Sequence, residues 1–248
     1  MEGCLAAGIP AIGLWRHKVA ETGLAATARL VHEAGLHVSS LCRGGMFPAA
    51  TAAERRARLD DNRRAVEEAA ALGTRVLVLV CGPAPDRNLD AARAIVEDAI
   101  ARLIPYAEEC GVSLGVEPLH PMYTAERSVI VTLAQANELV ARLASRQVGV
   151  VVDVYHVWWD PDVYTQIARA AGHIVGFHVS DWLVPTTDLL LSRGMMGDGV
   201  IELRRLRTAV DAAGYAGPIE VEIFNQAIWE MPGAEVLRLM RARYLTHV

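Results

Sequence analysis

Residues 148–161 read Val-Gly-Val-Val-Val-Asp-Val-Tyr-His-Val-Trp-Trp-Asp-Pro, and the fold turns on this stretch. Small and β-branched residues run into Asp153, His156 follows three positions later, and Asp160-Pro161 opens a helix. An apolar run bounded by turn signals is a strand buried on both faces of a parallel sheet. Its polar groups then lie at the C-terminal end. Working outward, three other apolar runs finish the same way, at Glu117 (112–118), His178 (174–182) and Glu222 (218–224). Successive ends are roughly one strand-plus-helix unit apart. If these strands are consecutive staves of a (β/α)8 barrel, two glutamates, an aspartate and a histidine meet on the face where such barrels place their active sites. Three carboxylates that close stay ionised together only beside a cation. A divalent metal is therefore expected.

Composition narrows the class. A chain of 248 residues, 52% hydrophobic, has the length of one α/β barrel, so a single domain over 1–248 is expected. The net charge of −5 supplies no electrostatic footprint for nucleic acid or an anionic membrane. Lys18 is the only lysine, which leaves Schiff-base chemistry almost no candidate. Cys4, Cys42, Cys81 and Cys110 are widely spaced with no CxxC, as reduced thiols of a cytoplasmic protein would be. Cys42 and Cys81 end apolar strands and are candidates to line the barrel mouth. No apolar run reaches membrane-span length, and no signal peptide opens the chain.

In chain order, the pattern predicts strands starting near 11, 37, 75, 112, 148, 174 and 218, alternating with helices. The helix over 89–110 contains Pro105, which should kink or divide it. Residues 183–199 read as a long glycine-rich loop at the catalytic end, suited to a lid. Seven strands are one short of a closed barrel, and the first is the one lacking. Either this is an N-terminally truncated TIM barrel or another segment fills the gap; a ring without one stave exposes two unpaired edges.

The chain resembles the xylose isomerase-like TIM barrels, a superfamily that includes ketose 3-epimerases, hydroxypyruvate isomerases, inosose dehydratases and endonuclease IV. The resemblance rests on Gly-Val-Glu-Pro-Leu at 115–119, Asp153-x-x-His156, His178-x-x-Asp181, Gly197-Asp198-Gly199, and Gly214-Tyr215-x-Gly217 before Val221-Glu222. It implies that Glu117, Asp153, His178 and Glu222 hold one catalytic divalent ion, usually manganese or magnesium. It implies further that His156 hydrogen-bonds the substrate and that the two glutamates form the acid/base pair. Endonuclease IV needs additional histidine and aspartate ligands where this chain has Arg43, Cys81 and Ser192-Arg193-Gly194, so a trinuclear zinc cluster is not expected.

An oxygen-rich donor set with one imidazole suits Mn2+ best, with Mg2+, Co2+ or Zn2+ as substitutes. A hydroxy-ketone chelated there would lose a neighbouring carbon-bound proton to one glutamate and regain it from the other. The expected activity is thus a metal-dependent sugar or sugar-derivative isomerase or epimerase on a small-molecule substrate, with a homo-oligomer compatible. The alternatives are a lyase or dehydratase on a keto-cyclitol or 3-keto-sugar, and a catalytically disabled barrel. Around this centre, Asp181 is expected to orient a ligand. Glu220 shares a face with Glu222 by period two and needs a partner, with arginine the first candidate. Arg193 is a candidate to clamp a substrate oxygen or phosphate. Trp182, Trp158, Trp159, Phe47 and His120 are candidates for the pocket wall.

Overall fold

The computed structural model describes residues 1–248. Nine strands form: β1 (Ala11–Trp15), β2 (His37–Gly45), β3 (Val76–Val80), β4 (Ser113–Val116), β5 (Val148–Asp153), β6 (Ile174–Val179), β7 (Asp181–Trp182), β8 (Arg193–Gly194) and β9 (Ile219–Val221). Seven make one parallel sheet in the order β1-β2-β3-β4-β5-β6-β9. All seven expected strands are therefore present. The helices between them complete a nearly closed TIM barrel, as the pattern of apolar runs implied.

Side chains alternate along a strand, and this parity builds the site. On β4 and just beyond, Gly115 and Glu117 share the inner face. So do Val151 and Asp153 on β5, Gly176 and His178 on β6, and Glu220 and Glu222 at β9. The intervening Leu114, Val116, Val150, Val152, Phe177 and Val179 face outward into the main hydrophobic core under the helices. Cys42, Val78 and Val151 form a separate apolar plug. The polar rim lies above it.

β1 and β9 are not hydrogen-bonded to one another. Across that gap Gly13 meets Glu220, whose Oε2 would lie 2.2 Å from any Cβ placed there. Beside it a cavity of about 300 Å3 is lined by Cys4, Ile9, Leu237 and Met240 among others. The helices Glu2–Ala6 and Gly233–His247 supply Cys4, Leu237 and Met240, and the two pack against each other over the gap. Helices, not a strand, stand at the missing stave.

Three local expectations are corrected. The helix Leu89–Glu109 is not divided at Pro105, where the ring removes the one N–H that would have bonded the carbonyl of Ala101 while the turns on either side keep theirs. The stretch 183–199 is not all loop: β8 pairs antiparallel with β7, Asp181 opposite Gly194 and Trp182 opposite Arg193. Cys81 does not line the mouth but is fully buried in the main core, as is Phe47; Cys42 does line the interior cavities. All four cysteines are free. No helix is long and apolar enough to cross a membrane.

Candidate metal centre

Four strand ends converge as the parity argument requires. Donor atoms of Glu117, Asp153 and His178 all lie within 4.8 Å of one another, and all three residues are buried. Glu117 Oε1 is 3.2 Å from His178 Nδ1 but not aligned for a hydrogen bond. That oxygen and both ring nitrogens of His178 are buried without a partner. Orphaned buried polar atoms are rare in folded proteins. An orphaned carboxylate oxygen and one imidazole nitrogen beside the Asp153 carboxylate suit a hard or borderline divalent cation. The residues fit such an ion.

The electrostatics point the same way. Burial works against a charged His178, but Glu220, Glu117 and Glu222 outweigh it and push its pKa up to about 10. Burial likewise opposes ionisation of Asp153, yet Arg193, His156 and His178 hold its carboxyl below the usual carboxylate range. For Glu222 burial prevails over Arg193 and His178 and pushes the pKa up to about 7. Negative charge is crowded here. In the protein alone, an arginine and a protonated histidine compensate it.

That arginine is Arg193. Its Nη1 donates to Asp153 Oδ2 at 2.9 Å and to Glu222 Oε2 at 3.0 Å. Its guanidinium packs on the Tyr155 ring at 4.4 Å and the Phe224 ring at 5.0 Å. Backbone ties fix it: Arg193 N–H donates to Phe224 O, and Asn225 Nδ2 donates to Arg193 O. Glu222 is thus at the centre's edge, held by Arg193, outside the trio that share the 4.8 Å cluster.

His156 sits in the single helical turn after β5. Burial brings its pKa down to about 3, with Asp153 opposing and Arg193 adding, so the ring is neutral. Its Nδ1 accepts from His120 N–H at 3.2 Å, and its Nε2 lies 3.2 Å from Arg193 Nη2, a group that can only donate, and 3.6 Å from Asp153 Oδ2. His156, Arg193, Glu117 and Glu222 line one cavity of about 30 Å3, together with Arg43, Tyr123, Arg127, Leu190 and Phe224.

The other candidates fall elsewhere. Asp181 accepts from the backbone N–H groups of Trp182, Gly197 and Ile201, which staples the 193–201 segment rather than turning a ligand. Glu220 does face inward, but its partner is His178 Nε2 at 3.8 Å, not an arginine, because β6 pairs His178 directly with Glu220. Trp182 stacks on Tyr155 at 4.7 Å and on His120 at 5.0 Å. Trp158 lies 5.5 Å from Trp182, and Trp159 lies 5.6 Å from His120. None of these four lines the small cavity; they form an aromatic wall beside it. Sequence reasoning missed Tyr155, Tyr123, Phe224 and Arg127. For Tyr155 the signal was its place between Asp153 and His156; Arg127 carries none.

The fold agrees with comparisons to known proteins. The family described as xylose isomerase-like TIM barrel matches residues 2–243. The chain belongs to that family. L-ribulose-5-phosphate 3-epimerase UlaE of Salmonella paratyphi A is 27% identical over 214 residues, covering 84% of this chain and 72% of that protein. The crystal structure of protein SMc04130 from Sinorhizobium meliloti 1021 is 50% identical, with a TM-score of 0.96 over 99% of this chain and 90% of that one. The structure of IolI protein with a bound zinc atom shares the fold, with a TM-score of 0.86 at 19% identity, over 99% of this chain and 90% of the other.

Proposed function

We propose that this chain is a divalent-metal-dependent isomerase or epimerase of a sugar or sugar derivative, acting by proton transfer through an enediolate. One observation carries the reading: donor atoms of Glu117, Asp153 and His178 crowd within 4.8 Å with three of their atoms unpartnered. The relation to L-ribulose-5-phosphate 3-epimerases supports the reaction class. Glu117, Asp153 and His178 hold the ion, Glu222 is the fourth donor, and Mn2+ suits this oxygen-rich set best. When bound, the ion supplies Lewis-acid charge where the substrate's oxygens become negative.

The chain's own groups do the rest. Glu117 and Glu222 end strands separated by two others in the sheet, so they approach a bound molecule from different sides. One takes the carbon-bound proton, and the other, entering protonated, delivers its own proton from the opposite face, inverting that carbon; delivery to the adjacent carbon isomerises instead, and both carboxyls are reset by exchange with solvent. His156, neutral and lining the same cavity, hydrogen-bonds a substrate oxygen. Arg193 orients the same region with a guanidinium locked by two rings.

The test is exchange. The manganese-loaded protein in heavy water is expected to incorporate deuterium at one carbon of a ketose such as ribulose 5-phosphate or ribulose. Glu222→Gln should slow this by about 10²–10⁴-fold, as loss of a general acid or base does. Absence of exchange across a ketose panel, with metal bound, would sink the proposal.

A further inference from the structure

The cavity that holds Glu117, His156, Arg193 and Glu222 is lined by two more arginines, Arg43 and Arg127. Both are half-buried. Elsewhere in the chain, arginines such as Arg16, Arg142, Arg207 and Arg243 each grip a carboxylate. Arg43 and Arg127 form no ion pair and no side-chain hydrogen bond; the guanidinium of Arg127 has only the Tyr123 ring, 5.4 Å away. Half-buried cations without an anion are electrostatically costly, and two of them share one small cavity.

Charge counting sharpens the point. A divalent ion, Arg193, Arg43 and Arg127 bring five formal positive charges against the four carboxylates of Glu117, Asp153, Glu222 and the inward Glu220. The site is left with an excess of one positive charge, and Arg43 and Arg127 are the two cations in it that hold no carboxylate. Neither is a loose surface chain. Arg43 lies in β2, where Asn62 clamps Gly45 through both amide atoms, at 2.6 and 2.8 Å. Arg127 is held at its carbonyl by Gly82 N–H at 2.9 Å. The backbone at both positions is fixed, and two arginine side chains lining one cavity without a carboxylate are how sites for phosphate and carboxylate are built.

We propose that Arg43 and Arg127 bind an anionic group, a phosphate monoester or a carboxylate, at the end of the substrate away from the reacting carbon. This rests on the isomerase reading above and deepens it: the substrate is an anionic sugar, not a neutral one. At about 30 Å3 the cavity has room for about two waters. Such a substrate therefore enters only when Leu190, which lines the cavity from the 183–192 segment, moves aside.

The test compares ribulose 5-phosphate, ribulose and fructuronate on the manganese-loaded chain. Wild type is set against Arg43→Gln, Arg127→Gln, the two Lys variants, and Arg102→Gln as an exposed control. Each Gln variant is expected to raise KM for the anionic substrates about 10–100-fold, at 1.4 kcal/mol per decade, with kcat changed less than about threefold. The Lys variants recover part of the loss, ribulose is unaffected, and added salt weakens only the anionic substrates. Fructuronate favoured over ribulose 5-phosphate assigns a carboxylate, and the reverse a phosphate; either supports the proposal. Equal KM changes on ribulose, or none on any substrate, overturn it. If no ketose turns over, the isomerase reading fails and thermal unfolding with inorganic phosphate decides the arginines separately. Phosphate should raise Tm in wild type but not in the Gln variants, and no rise in wild type overturns the site.

Discussion

Arg193 Nη1 serves Asp153 and Glu222 at once, so one side chain carries the charge balance of the protein without metal. His178 supplies the rest as an imidazolium. This has a consequence for pH. His178 has its pKa raised to about 10, above the ordinary value of about 6.5. Its contribution to the stability of the metal-free protein is fully present below about pH 6.5 and is lost as pH rises through about 10. Metal binding requires the neutral ring, so near pH 7.5 uptake of Mn2+ should release about one proton per ion, and the apparent affinity should rise with pH. Titration calorimetry in two buffers of different ionisation enthalpy measures that proton; identical heats in both would contradict the assignment.

At the scale of elements, the rim of the site depends on how each strand end is held after its ladder stops. Gly45 has φ +99, and a Cβ there would come within 2.0 Å of Val80 O, so β2 turns against β3 more closely than any other residue permits. Asn62, 1% exposed on the helix Ala52–Ala71, locks that turn with its amide and also donates to Arg58 O. Thr51 and Glu54 begin the helix with a capping box, and Arg16 ties it to the end of β1 through Asp61 and Glu68. Asn62→Leu leaves the Gly45 N–H and C=O buried without partners, which should cost about 2–6 kcal/mol at about 1–3 kcal/mol per orphaned group. Urea unfolding measures the loss. Over the rim, the Tyr123 hydroxyl donates to Leu189 O and holds the 183–192 segment down on the cavity.

At the scale of the molecule, the incomplete ring is the governing fact. β1 and β9 each have one unpaired edge, and unpaired edges recruit other strands. Here the helices Glu2–Ala6 and Gly233–His247 cover the gap, Leu237 lying 3.0 Å from a Cβ built at Gly3. The cover is partial, since no residue of the C-terminal helix is fully buried. Ending the chain at Pro232 should uncover the slot lined by Ile12, Leu14 and Val221. The shortened protein is expected to move to large species on size-exclusion chromatography, while the full chain does not. A shortened protein eluting as the full chain does would show that the helix is not what guards the edges.

The amino-acid sequence by itself determined the seven staves and the identity of the residues at their ends. Burial on both faces demands continuous apolar runs, and an inward position is read from parity alone. Glu117, Asp153, His178 and Glu222 were legible for that reason, and so was the inward turn of Glu220. Only the tertiary structure decided who meets whom. Arg193 stands between Asp153 and Glu222, Glu220 faces His178, Asp181 staples a loop, the aromatic residues stack beside the cavity, and Arg43 and Arg127 both line it. Periodicity tells which face a side chain takes, a property of one strand. Distances between side chains on different strands follow from register, twist and the way the ring packs, and no single stretch of sequence contains them.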